Sequence, residues 1–335
     1  MSRRALVVLA ALATLLLATA AWLHLADDRL PGAGDPLLPG LRGELAEIST
    51  LRVSAAGPEI IATLELRGER WVVAERDDWP ADTGQLRALL LALADARRVE
   101  ARTANPSQWH RLGVAPMDSA EASGIEVALE TPAGPLALVI GRRDGAYTHV
   151  RLAHEPAAWL VSGRLEPGRT TGDWLDATMP DLAAPGVMAL TLSHPDGEQV
   201  RLQRPENASS GLELQAVPAG RSLLHATVTD ATLAALSALR VEDVAPRDEI
   251  FTEDKAPVSI EIETADGLTW RWLALLADDV PWMTLAPTEA DTAAEGSPLG
   301  SELAHLAGRA LRIPRHRYDQ LTRRLEDYLA PVGTD

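Results

Sequence analysis

Hydrophobic positions along the chain fall into two successive blocks that repeat one order of elements. From Ile48, Leu51 and Val53 alternate with polar neighbours, and the alternation returns over 60–66 and 71–74. A two-residue period puts alternate side chains on one face of an extended backbone, so these are three short strands with turns at Ala56-Gly57-Pro58 and Arg67-Gly68-Glu69. The period then changes. Leu86, Leu89, Leu90 and Leu93 share one face of a helix that Asp82 and Thr83 cap and that ends on Arg97 and Arg98, placing acceptors at its positive end and cations at its negative end. After a loop around Asn105-Pro106, strands are predicted over 125–130, 136–140, 148–152 and 159–161.

The same order recurs beyond Pro185-Gly186, as expected of an internal repeat. Strands are predicted over 187–192, 199–202 and 212–217. Asp230 caps a helix over 231–240 with Leu233, Leu236 and Leu239 on one face, and strands follow over 258–263, 269–275 and 282–285. Val241-Glu242-Asp243 after the second helix echoes Val99-Glu100-Ala101 after the first. A last helix is expected over about 299–329, broken or kinked at Pro314, whose ring and missing N–H do not fit a helix interior. The fold class is α+β: two related antiparallel-sheet-plus-helix units, 48–184 and 185–335, the second carrying the C-terminal helix. Asp173-Trp174-Leu175 begins the junction between them.

Ahead of the units, Arg3 and Arg4 precede 21 residues, Ala5 to Leu25, without an acidic, lysine or arginine side chain. At about 1.5 Å per residue that helix is roughly 31 Å long, the hydrocarbon thickness of a bilayer. Residues 1–26 are therefore read as one transmembrane anchor. Trp22 sits at the boundary, and the arginines before the run, with Asp27 and Asp28 after it, keep the N-terminus cytoplasmic and the remainder outside. The competing reading is a signal peptide cleaved after Ala18-Thr19-Ala20; retention is favoured because the apolar run continues to Leu25. A twin-arginine signal is the third reading of Ser2-Arg3-Arg4, against a short positive flank. Residues 27–47, punctuated by Pro31, Gly32, Gly34, Pro36, Pro39 and Gly40, read as a linker.

Composition narrows the partners. The chain has 335 residues, 46% hydrophobic and 24% charged, an ordinary globular balance with length for two domains. Its net charge of -17 opposes binding a phosphate backbone, so nucleic acid is not expected as a partner. With no cysteine there is neither a lipoprotein anchor nor a disulfide scaffold, and an exported domain must rely on its core.

Several segments together resemble a known family: Trp71-Val72-Val73-Ala74-Glu75, Trp79-Pro80-Ala81-Asp82, Ala94-Asp95-Ala96-Arg97, Thr103-Ala104-Asn105-Pro106, Arg111-Leu112-Gly113-Val114 and Trp159-Leu160-Val161-Ser162-Gly163. They are similar to the domain-of-unknown-function family numbered 4340. The likeness covers the anchor and the first unit well and the second unit loosely. It implies a membrane-anchored envelope protein considered alongside gliding-motility-type ABC transport components, and it supplies no catalytic residues to carry over.

The residues themselves supply none either. The lone lysine, Lys255, stands in no phosphate loop, and neither a G-x-S-x-G elbow nor an H-E-x-x-H motif occurs. His149 and His154 lack the further ligands zinc needs and read as surface histidines, and His305 and His316 read as part of a solvated face. Glu261, Glu263, Asp278 and Asp279 raise glycoside hydrolysis, but Glu261 and Glu263 are period-two neighbours on the expected solvent face of a strand. The candidate interaction surface is Trp79, Asp82, Asn105, Trp109, Trp270, Trp272 and Trp282. A ligand platform and plain core filling are both open for the last three, and turn and cap roles are open for the others. No cofactor or metal is assigned. The expectation is a non-enzymatic accessory or binding subunit of an ABC-type transport or gliding-motility-like system in the inner membrane. The alternative is a periplasmic ligand-binding or hydrolytic enzyme acting on glycan or peptide.

Overall fold

A computed structural model describes residues 32–57, 59–183, 186–206, 211–237, 239–286 and 303–331. The apolar run 5–25 lies outside them, and among the described residues no helix is long and apolar enough to cross a membrane. Along the first half the chain forms a short helix α1 (Leu41–Glu44), strands β1 (Thr50–Ala55), β2 (Glu59–Arg67), β3 (Arg70–Val73) and β4 (Trp79–Pro80), then helix α2 (Thr83–Asp95). Strand β5 (Arg98–Thr103), a helical turn α3 (Trp109–Leu112) and strands β6 (Ile125–Thr131), β7 (Gly134–Asp144), β8 (Tyr147–Leu152) and β9 (Ala158–Ser162) follow. The second half forms β10 (Val187–Ser193), β11 (Gln199–Gln203), β12 (Glu213–Leu214), α4 (Asp230–Leu236), β13 (Asp243–Pro246) and α5 (Arg247–Ile250). It closes with β14 (Val258–Thr264), β15 (Thr269–Ala277), β16 (Val280–Leu285), β17 (Arg309–Arg312) and α6 (Arg315–Leu321).

Two compact units result, Met1–Leu66 with Gly84–Arg169 and Arg67–Thr83 with Thr170–Asp335. Each is mostly antiparallel sheet with few helices. In the first unit seven strands run in the order β2-β1-β6-β7-β8-β9-β5. Alternation explains the core: Leu51, Val53, Val127, Leu129 and Leu138 are buried, as is the helical stripe Leu86, Leu89, Leu90 and Leu93. In the second unit the order is β12-β11-β10-β14-β15-β16-β17-β13. Beyond the two-residue β12, it matches the first strand for strand.

Register matches as well as order. Leu51 lies opposite Leu64 and Leu129, while Leu190 lies opposite Leu202 and Ile262. Val127 faces Leu138, which faces Leu152; Ile260 faces Trp272, which faces Leu285. Because a one-residue slip would turn every side chain to the wrong face, agreement across these pairs shows that each half turns the equivalent positions of its own sheet to its own core.

The repeat extends to a closing strap. Asp173-Trp174-Leu175 and Asp327-Tyr328-Leu329 each follow the last strand of a half and lie in a 3-10 turn whose aspartate accepts an N–H three residues back, from Thr170 at 2.9 Å and from Arg324 at 2.8 Å. Trp174 and Tyr328 are fully buried. The first strap bonds Asp82 N–H to Trp174 O and Asp176 N–H to Pro80 O, both at 2.8 Å; the second bonds Leu224 N–H to Tyr328 O at 2.9 Å and Ala330 N–H to Ser222 O at 2.8 Å. Both straps belong to the second unit.

Tyr328 gives a pH prediction. Its hydroxyl meets the Thr232 hydroxyl at 2.8 Å, and burial raises the phenol above its ordinary range, with the Thr232 bond opposing. A folded pKa above the unfolded one means that the folded state holds the proton longer, so this contribution is complete below about pH 10 and is lost as pH rises through the folded value. Urea midpoints measured from pH 8 to 11 should fall at the alkaline end, and Tyr328→Phe should flatten that fall. An unchanged slope in the variant would remove Tyr328 as the cause.

Four expectations need correction. The C-terminal helix expected over 299–329 is not one over its described part: Gly308, at φ 74°, and Pro314 bracket strand β17, and helical structure is confined to α6 and two short 3-10 turns, Ala304–Leu306 and Leu325–Tyr328. Ala310 and Leu311 fill a place between β16 and β13, where backbone pairing outweighs helical spacing. The first helix stops at Asp95 and Arg98 begins β5, so the arginines do not cap it. The second helix has Thr229 at its N-cap and ends at Leu236; Asp230 is its first helical residue. Finally, residues 32–47 of the stretch read as a linker are packed into the first unit. Leu37, Leu38 and Leu41 are buried, Gly34 N–H bonds to Arg98 O at 2.7 Å, and Leu37 N–H bonds to Ala96 O at 2.8 Å. Three leucines between the prolines and glycines supply enough apolar area to dock a segment without regular structure.

Candidate functional site

The second unit holds a cleft of about 720 Å³ against the β3–β4 hairpin. Val73 pairs with Trp79 across that hairpin, which turns through Asp77 and Asp78 at φ 52° and 58°. Left-handed backbone is uncommon for a residue with a side chain and tolerable for aspartate. Trp79, 1% exposed, is the pivot behind the cleft. Its indole N–H donates to Asp176 O at 2.9 Å, the His305 ring tilts against it at 5.4 Å, and the Arg309 guanidinium stands 5.4 Å from its centroid. Arg309 also donates to Asp77 O at 2.7 Å and lies 3.3 Å from its carboxylate.

On the open side stand Arg70, His305 and Arg309, with Val72, Pro80 and Met179 as apolar wall. The cleft's two carboxylates are engaged: Asp78 pairs with Arg67, and Asp176 accepts Thr178 N–H at 3.0 Å. A second opening of about 390 Å³ shares Arg309 and is lined by Trp282. There Arg76 grips Asp243 with Nε to Oδ1 at 2.6 Å and Nη2 to Oδ2 at 3.3 Å.

The residues singled out from the sequence do not gather into one surface. Trp270 and Trp272 are buried on the core face of β15, and Trp282 is buried with Leu275, Ala277 and Ala310. Asp82 is half-buried and bonds into the first strap. Asn105, in the first unit, is exposed, and its side-chain oxygen accepts Ser107 N–H at 3.1 Å, capping a 3-10 turn. Trp109 is half-buried and donates to Pro156 O at 3.2 Å. Sequence reasoning missed Arg70 and Arg309, because an exposed arginine at a strand start and a half-buried one in a segment taken as helix carry no pattern of their own.

The first unit holds a different construction. Arg151 points out of β8 away from the main core and is 4% exposed. Its guanidinium donates to Val114 O at 2.9 Å, Leu152 O at 3.2 Å and Ala153 O at 3.3 Å, and it stacks 4.1 Å from the Trp109 ring centroid. Burial lowers its pKa and the Glu126 carboxylate opposes that shift. Above it the loop Trp109–Val114 lies so close to the sheet that a Cβ on Gly124 would come 2.2 Å from Gly113 O and one on Gly141 2.3 Å from Leu112 O. This is packing, not a reaction site.

The residues weighed for chemistry are separately engaged. Glu261 pairs with Arg271 at 2.8 Å, Glu263 with Arg201 at 2.9 Å and Asp279 with Arg315 at 2.8 Å. His149, expected at the surface, is instead buried and bonded to Arg142 O at 2.9 Å, while His154 is exposed.

No curated protein and no solved structure matches the chain. The model of the family described as a domain of unknown function, DUF4340, matches residues 71–259, from β3 through the second helix to the start of β14, and so reaches well into the second half. The segments that carried the resemblance occupy the places just described: Trp79-Pro80-Ala81-Asp82 in β4 and the residues after it that the first strap bonds, Arg111-Leu112-Gly113-Val114 in the loop over Arg151, and Trp159-Leu160-Val161 in β9. With that match across more than half of its length, the chain belongs to the DUF4340 family.

Proposed function

We propose that this protein is a non-enzymatic, single-pass inner-membrane protein whose two extracytoplasmic units act as an accessory or binding subunit of an ABC-type transport or gliding-motility-like system. The observation that carries the reading is the shortness of the tether. The apolar run ends at Leu25, and the chain is already hydrogen-bonded into the first unit at Gly34. Eight residues extend at most roughly 30 Å, so an anchor in the bilayer holds that unit at the membrane surface, within reach of a membrane partner. The chain also lacks a phosphate loop, so a partner has to supply nucleotide hydrolysis. The alternative hydrolase reading draws no support from Glu261, held by Arg271 on the neighbouring strand, or from Glu263, held by Arg201 from β11 across β10.

Gentle detergent extraction of full-length tagged protein tests this. A stoichiometric complex with a transporter subunit that binds ATP is the expected result. Recovery of the chain alone, or a mature N-terminus at Ala21, would overturn the proposal.

A further inference from the structure

The cleft beside Trp79 holds an arginine, Arg70, without an ion-pair partner among the described residues, in a chain whose net charge is -17. Arg70 is exposed on β3 and makes no ion pair among the described residues. Across the same opening lie the His305 imidazole and Arg309, the latter fixed between Asp77 and the Trp79 ring. Of the two carboxylates in the lining, Asp78 pairs with Arg67 and Asp176 accepts the Thr178 amide N–H, so neither forms an ion pair with Arg70. Below the cations, Val72 and Met179 are largely buried and Pro80 completes an apolar floor. A volume of about 720 Å³ falls in the range of small-molecule sites.

We infer that this cleft binds an oxyanion carried on a short apolar chain. The fork of Arg70 takes the anionic group, because a guanidinium presents parallel N–H donors to a carboxylate or phosphate. His305 stands beside the group and the tail lies on Val72, Pro80 and Met179. A fatty carboxylate and a lipid phosphate offer the same chemistry, so the test separates them. The inference adds a ligand to the binding subunit proposed above and rests on that reading for its setting, but the measurement needs no partner protein.

Ligand-observed NMR on the full chain in zwitterionic nanodiscs, with empty nanodiscs as reference, reads binding of hexanoate, hexyl phosphate and hexanol. Saturable binding of at least one anion is expected, with hexanol far weaker. Arg70→Gln should weaken the anion about tenfold, the scale of a charge-assisted contact, while Arg87→Gln, on an exposed position of α2, leaves it unchanged. Tighter binding of hexanoate assigns a carboxylate source, and of hexyl phosphate a phosphate source. Absence of saturable anion binding, equal binding of hexanol, or equal affinity in Arg70→Gln would overturn the inference. If the partner search fails while the anion binds, only the transport reading falls.

Discussion

Replacing Trp79 with alanine is expected to destabilise the second unit by about 3–5 kcal/mol, the usual cost of truncating a fully buried tryptophan. Four contacts make the site unable to close over the loss. The indole N–H is bonded to Asp176 O, so removing it strands a carbonyl beside the strap. His305 and Arg309 both rest on the ring and would face the vacated space. Val73, opposite Trp79 in the hairpin, loses its cross-strand neighbour. Trp79→Phe keeps most of the apolar volume and loses the hydrogen bond, so about 1–2 kcal/mol is expected. Urea unfolding followed by circular dichroism measures both, and a loss below about 1 kcal/mol for the alanine variant would show that Trp79 is not the pivot described.

Arg151→Met is the second large effect, at about 3 kcal/mol from the first unit. Methionine fills the volume but leaves the buried Val114 O and the partly buried Ala153 O without their donor, at about 1 kcal/mol each, while Leu152 O keeps the Glu155 N–H. Loss of the stacking on Trp109 adds up to about 2 kcal/mol in a desolvated site. Relief from burying a charge offsets part of this, which keeps the net below the sum. Arg151→Lys retains the charge without the fork and should lose roughly half as much. A double-mutant cycle with Trp109→Ala separates the stacking: coupling near zero would mean the ring is a bystander.

Much of the fold is written in local patterning. Alternation marked β1, β2, β6 to β11 and β14 to β16 because each buries one face against a core, and burial on one face imposes a period of two. The strands that escaped notice share a different character. β5 reads Arg-Val-Glu-Ala-Arg-Thr, β13 reads Asp-Val-Ala-Pro and β17 reads Arg-Ala-Leu-Arg, short stretches with little apolar alternation. Their identity comes from neighbours that offer backbone donors and acceptors, and backbone pairing leaves no mark on side-chain choice. The echo between Val99-Glu100-Ala101 and Val241-Glu242-Asp243 falls in β5 and at the entry to β13, the corresponding edge strands.

The cleft was less legible than the sheets. Trp79 could be singled out as an aromatic next to a proline, yet its value lies in being enclosed, with Asp176, His305 and Arg309 brought to it from positions far along the chain. Asp173-Trp174-Leu175 looked like a junction, whereas its counterpart Asp327-Tyr328-Leu329 hid inside an expected helix. Only pairing with the segments ahead of α2 and α4 reveals both as straps.

By itself, then, the sequence determined the repeat, the alternating strands, the Leu-faced helix and the family, because these depend on spacing between near neighbours and on residue type. Tertiary structure alone decided the polar edge strands, the docking of residues 32–47 on the first unit, the assignment of Arg67–Thr83 to the second unit and the gathering of Arg70, His305 and Arg309 around one cleft. Those features depend on which distant backbone groups and side chains meet. The energy of such meetings is spread over hydrogen bonds and contacts that no local period encodes.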